Sequence, residues 1–226
     1  MDTMPAPQNP HTQYRLFDFD VDQSWARKYN EKLGEIRRLQ IAAAILAVVC
    51  LGGAVVLGVV LGSVGALMIA FVLGLFGLGC LAMIFYIPRK MGQIDRTYAT
   101  SELVPAIVAN VHPHVLTLVA LVDQAVDRSA GSIPALVTLS AQKLPGHDRK
   151  EGERVPCVAV AGNRSARGKD NAYQFISPMP IAWGTSDKGV LKRAIKQIPT
   201  EEWDTVRRNV GRFEEIQKSP AGILRL

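Results

Sequence analysis

Between Arg38 and Arg89 the chain carries no charged side chain, and from Ile41 to Ile87 nearly every residue is apolar. Nothing else in the sequence restricts the fold so severely. A folded core alternates apolar with polar positions at the period of a helix or a strand, and this run of 47 residues hardly alternates at all. One straight helix of that length would measure about 70 Å at 1.5 Å per residue, more than twice the roughly 30 Å of a bilayer's hydrocarbon core. The run must fold back on itself. It reads as a transmembrane helical hairpin with spans over residues 39–61 and 65–87, turning through Leu61-Gly62-Ser63-Val64-Gly65, where glycine tolerates unusual backbone angles. Forty residues of mainly polar character precede it, unlike the short leader of a cleavable signal peptide.

The flanks set the orientation. Arg27, Lys28, Lys32, Arg37 and Arg38 precede the first span, Arg89, Lys90 and Arg96 follow the second, and the turn has no positive charge. The positive-inside rule puts both flanks in the cytoplasm. The expectation is a two-pass bacterial plasma-membrane protein with both termini inside. Phe85 and Tyr86 suit the interfacial aromatic belt, and Pro88 is expected to end the second helix. Gly58 with Gly62, and Ala70 with Gly74, form small-xxx-small pairs that allow close helix packing, either between the two arms or in a homodimer.

Ahead of the hairpin, residues 1–22 read as an N-terminal arm, disordered at first because residues 1–13 are rich in Pro, Gln and Asn. Phe17-Asp18-Phe19-Asp20-Val21-Asp22 then alternates apolar with acidic, which predicts an extended segment docking Phe17, Phe19 and Val21 on a folded domain. The aspartates have the spacing that opens a calcium loop, but Gln23 stands where glycine is required and Tyr29 where the closing glutamate should be. Residues 23–40 predict a juxtamembrane amphipathic helix, with Trp25, Tyr29, Leu33 and Ile36 on one face.

After the hairpin, residues 96–218 read as a cytoplasmic β-rich domain with two C-terminal helices, an α+β class built on a small barrel-like sheet. The expected strands are Leu103–Val111, Val115–Asp123, Ile133–Leu144, Val155–Ala161 and Ala172–Ser177. Pro178 and Pro180 place the following stretch on a sheet edge, because proline donates no ladder hydrogen bond. Val190, Leu191, Ala194, Ile195 and Ile198 give the first helix an apolar face, and Trp203, Val206, Val210, Phe213 and Ile216 the second.

Groups that do chemistry are sparse. His112 and His114 flank a proline turn without further metal ligands, and Cys157 has no His or Asn partner in any recognisable pattern. No phosphate loop, nucleophile elbow or carboxylate pair is present, so neither catalysis nor a cofactor is expected. The net charge of +6 resides wholly after the hairpin, where residues 88–226 carry 20 basic and 14 acidic side chains. Arg164, Arg167 and Lys169 share one loop, and Lys188, Lys192 and Lys196 recur every four residues as a helical stripe. With Met179 and Trp183 on the proline-rich edge, they are the candidate contact surface for a partner or an anion. Aromatic residues do not interleave with these charges, which argues against nucleic acid.

His112-Pro113-His114, Leu144-Pro145-Gly146-His147, Gly152-Glu153-Arg154-Val155-Pro156, Gly162-Asn163-Arg164-Ser165 and Ile176-Ser177-Pro178-Met179-Pro180-Ile181-Ala182-Trp183 together resemble a family of corynebacterial membrane proteins known only as a domain of unknown function. The resemblance covers most of residues 100–205 and implies an actinobacterial plasma membrane, with no activity or site attached. A looser architectural likeness is to NfeD-type proteins, which join membrane helices to a small cytoplasmic barrel. The expected function is a non-enzymatic adaptor, a binding domain tethered beside membrane lipids to engage an unidentified cytoplasmic or membrane protein. The alternatives are a sensor of anionic lipid headgroups and an enzyme acting on an envelope precursor.

Overall fold

A computed structural model describes residues 14–91, 94–162 and 171–226. The chain divides into two units: Lys32–Ile94, and a larger α+β unit assembled from Met1–Glu31 together with Asp95–Leu226. The apolar hairpin is therefore an insertion within one folded body.

In the hairpin, α2 (Glu31–Val56) continues through a π-turn at Leu57–Leu61 and is answered by α3 (Val64–Met91). The reversal needs only two residues. Gly62 closes the first helix with φ of +52°, and Ser63 opens the second by accepting the Ala66 N–H on its Oγ. Two stretches, Glu31–Val60 and Val64–Ile84, are long and apolar enough to cross a membrane. Their large side chains point outward, with Val48, Val59 and Phe71 each more than 70% exposed. Apolar surface facing out all round a helix is stable in lipid and not in water.

Helix contact runs through Gly77, where an added Cβ would lie 2.7 Å from Leu51 Cγ, beside the fully buried Ala47. Gly58, Gly62 and Gly74 have no neighbouring atom within 4 Å of such a Cβ, so they do not pack the two arms together. Pro88 does not end α3, which runs on to Met91. A proline removes one intrahelical hydrogen bond, and a long helix can absorb that loss.

The juxtamembrane helix is not continuous. A short α1 (Gln23–Tyr29), capped by Asp22, stops at Asn30, whose extended backbone separates it from α2. Asn30 is buried with its Nδ2 3.5 Å from the Met179 sulfur, and the Glu31 carboxylate accepts the backbone N–H groups of Gln142 and Lys143. These tertiary contacts break the helical period predicted for residues 23–40. The arm of residues 1–13 lies outside the described residues.

The α+β unit is a curled, six-stranded antiparallel half-barrel. Its strands are β1 (Glu102–Val111), β2 (Leu116–Asp123), β3 (Pro134–Ala141), β4 (Arg154–Ala161), β5 (Ile176–Pro180) and β6 (Ile223–Arg225), ordered β5-β4-β1-β2-β3-β6. Curling brings β5 back towards β3. The edge position of β5 satisfies its two prolines. The fifth strand is displaced from the expected Ala172–Ser177. Residues 171–173 instead clasp the end of β2, with Ala172 bridging Ala125 and the Tyr173 N–H donating to the Gln124 carbonyl at 2.8 Å. The unit also extends past residue 218, since β6 pairs with β3 through Val137 and Ile223.

A short α4 (Ile94–Thr100) precedes β1, and the C-terminal region forms three helices where two were expected: α5 (Lys188–Gln197), α6 (Thr200–Asn209) and α7 (Phe213–Lys218). A 3-10 turn at Val210–Arg212 divides the predicted second helix. The helices α5, α6 and α7 pack on β4, on β1 and β2, and on β3 respectively. Leu103–Val108 are all buried, showing that both faces of β1 are covered. Trp183 and Trp203 fill the core with their N–H groups donating to the carbonyls of Lys143 and Ile195.

Candidate functional site at the open end of the sheet

Pro105 and Pro156 face each other across β1 and β4. Neither has an N–H, so each nitrogen must point away from the other, Pro105 towards β2. There the β1–β2 ladder stops, at Ala106 opposite Ala120. Beyond it the strands fork, β2 staying with β3 as far as Asp123 opposite Pro134. The N-terminal arm fills the fork. The Leu103 N–H donates to the Arg15 carbonyl at 2.7 Å, and Leu16 forms a bridge with Glu102. Phe17 is buried beside Phe19, which meets Tyr98 edge-on at 5.1 Å. A missing hydrogen atom at one proline thus opens the sheet, and a segment from the far side of the hairpin closes it.

Charge concentrates in this fork. Arg128 lies between Glu102, which it meets in a two-pronged pair, and Asp123, whose Oδ2 is 2.8 Å from its Nε. That second contact is an ion pair lacking hydrogen-bond alignment. The Arg128 side chain is only 6% exposed. Burial disfavours its charge, but the two carboxylates outweigh that and hold its pKa above the ordinary value. The Tyr14 ring covers the guanidinium at 4.3 Å. Asp123 also accepts N–H bonds from Ala125 and Ile133 and a hydroxyl bond from Ser132. A second pair joins Arg15 to Glu202 of α6.

Two cavities flank this network, one of 270 Å³ beside Arg15, Arg128 and Glu202, the other of 540 Å³ at the mouth of the half-barrel. Each carboxylate in the network is held by an arginine, and the pairs lock the arm into the fork. Sequence reading missed the site because its parts come from the arm, the ends of two strands, a 3-10 turn and a C-terminal helix. The local signals were the apolar–acidic alternation of residues 17–22 and a proline inside an otherwise uninterrupted strand.

The expected contact residues fall elsewhere and separate into three groups. Lys188, Lys192 and Lys196 stand exposed along α5, opposite its buried Val190, Leu191 and Ala194, and none makes an ion pair among the described residues. Met179 and Trp183 are 4% and 1% exposed. Both belong to the core, so the contact surface expected along the proline-rich edge does not include them; the alternation of β5 and the 3-10 turn after it point them inward. Arg164, Arg167 and Lys169 lie outside the described residues.

His112 and His114 sit on an exposed turn. Cys157 is wholly buried, which pushes its thiol pKa well up and keeps it inert. His147 is buried beside Glu153, and loss of solvent lowers its pKa despite that carboxylate. No cluster able to hold a metal occurs among the described residues.

Comparison with known proteins agrees with this architecture. No curated protein matches the chain. A crystal structure of a protein from Corynebacterium diphtheriae, provisionally described as a membrane protein, is similar at 39% identity with a TM-score of 0.53, over 55% of this chain and the whole of the other. Residues 89–214, more than half of the chain, match the family profile described as "Protein of unknown function (DUF3239)". The chain belongs to that family.

Proposed function

We propose that the protein is a non-enzymatic membrane tether, holding its α+β unit on the cytoplasmic face of the plasma membrane as an adaptor for an acidic protein partner. The observation that carries this reading is the discontinuity of the unit. Residues from both sides of the apolar hairpin fold into one body, with Arg15 and Leu16 pairing on β1. Such a body forms only when both flanks emerge on the same side of the bilayer, and the lysines and arginines of those flanks favour the cytoplasm. The α5 stripe supplies the contact surface, because its lysines are exposed, regularly spaced and free of ion pairs among the described residues.

The test is site-specific photocrosslinking in living cells. A crosslinker at Lys192 is expected to capture a discrete protein neighbour. The charge reversals Lys188→Glu and Lys196→Glu should reduce that adduct about tenfold, as the loss of two favourable charge contacts at ~0.7 kcal/mol each would. An adduct indifferent to the reversals, or adducts to lipid alone, would replace the adaptor reading. The same stripe favours a second reading, recognition of anionic headgroups. Adducts to lipid alone would be the result in its favour.

A further inference from the structure

Residues 142–153, which join β3 to β4, tie distant parts of the α+β unit together. Glu31, the residue at which the chain leaves that unit for the hairpin, accepts the Gln142 and Lys143 N–H groups at 2.6 and 2.8 Å. The Lys143 carbonyl accepts the Trp183 indole N–H. The Arg149 guanidinium donates to the carbonyls of His112 and Pro113 between β1 and β2, and Gly152 and Glu153 bond the backbone of Val108. Gly146, at φ of +80°, brings the loop so near α5 that an added Cβ would lie 3.1 Å from Leu191 Cδ1.

Within this loop one buried group lacks a partner. The His147 side chain is 3% exposed; its Nδ1 lies 3.3 Å from Glu153 Oε1, and its Nε2 is buried without a hydrogen-bond partner among the described residues. A neutral ring tolerates that arrangement, donating from Nδ1 and leaving only a lone pair unused. A protonated ring does not, because Nε2 then carries a buried N–H with no acceptor. The charged groups around the ring are Asp148, Lys150 and Glu153 from the loop, with Lys188 of α5 acting on Asp148. Lys150 already pairs with both carboxylates, at 2.8 Å to Asp148 and 3.5 Å to Glu153, so an imidazolium is the surplus cation. Loss of solvent accordingly outweighs Glu153 and holds the His147 pKa below its ordinary value.

We propose that residues 142–153 form an acid-sensitive latch on the α+β unit: protonation drives the His147 ring from its place beside Glu153, and the loop opens and releases Glu31. The direction follows from linkage. A histidine whose pKa is lower in the closed loop than in the open one stabilises closure fully above about pH 6.5, and that contribution is lost as pH falls towards the lower value. Within that window each pH unit raises the open population by up to about tenfold. The latch does not depend on what the α5 lysines bind.

Hydrogen exchange of the full-length chain in nanodiscs of uncharged lipid, read by mass spectrometry and corrected for the intrinsic pH dependence of amide exchange, is the test. Between pH 7.5 and 5.5 the protection of residues 142–153 is expected to fall at least threefold, beginning near pH 6.5, while β2 changes less. His147→Gln, a neutral donor that does not titrate in this range, should abolish most of that fall, and His147→Asn is a second such variant. A loss as large in either folded variant as in the unaltered protein would overturn the latch. The pH series of the unaltered protein decides alone if neither variant folds. A smaller fall, an onset below about pH 5 where carboxylates titrate, or a parallel loss in β2 would each refute it.

Discussion

Replacing Arg128 with Met is expected to lower the unfolding free energy of the α+β unit by about 3–5 kcal/mol, the usual cost of stranding buried charge. The side chain is almost entirely enclosed and is shared by Glu102 and Asp123, which are themselves 13% and 10% exposed. Removing the cation leaves two carboxylates in the fork without a counter-charge. Asp123 keeps its bonds from Ala125, Ile133 and Ser132, whereas Arg128 bonds both oxygens of Glu102. The double change Arg128→Met with Glu102→Met should therefore recover part of the loss, because a well-packed apolar pair can match a buried ion pair. Urea unfolding of the full-length chain, followed by tryptophan fluorescence, measures both. A single Arg128→Met change costing under about 1 kcal/mol would show that water reaches the fork and that the network is a surface feature.

The second large effect is expected at Phe17. Truncation to Ala should cost about 3–5 kcal/mol, as for other buried aromatics. Phe17 is 5% exposed, stacks on Phe19 at 5.8 Å between ring centres, and lies beneath the Arg193 guanidinium at 5.9 Å. Its neighbour Leu16 is 50% exposed, and Leu16→Ala should change stability by less than ~0.5 kcal/mol. The contrast matters because Phe17 lies on the opposite side of the hairpin, in sequence, from every strand it supports. If the two substitutions had equal, small effects in the same unfolding measurement, the arm would be an appendage and not part of the unit.

The membrane segment was legible because its signal is compositional: a long uncharged run can be read without knowing any contact. The strands of the half-barrel were legible for a related reason. Their apolar runs are bounded by turn residues, and the prolines of β5 could belong only on an edge. What sequence could not show is decided by pairing between distant segments. The alternation at Phe17-Asp18-Phe19 announced a docked segment, but not that Pro105 had left a gap for it. The helical period over residues 23–40 was real and still broke at Asn30, because a buried contact with Met179 outweighs local propensity. Met179 and Trp183 looked like contact residues by their proline-rich surroundings. Burial depends on which way a short edge strand faces, and local composition does not encode that. The three-residue β6 was too short to carry any pattern.

The claim on which the others rest is that one folded body is built from both flanks of a membrane hairpin. Accessibility of single cysteines to a membrane-impermeant maleimide tests it most directly in intact cells. Cysteine at Ser63 marks the hairpin turn, at Asp18 the exposed face of the arm, and at Glu151 the exposed β3–β4 loop. The account predicts labelling at Ser63→Cys in whole cells, with Asp18→Cys and Glu151→Cys reacting only after permeabilisation. Labelling of Asp18→Cys and Glu151→Cys from opposite sides of the membrane would contradict it.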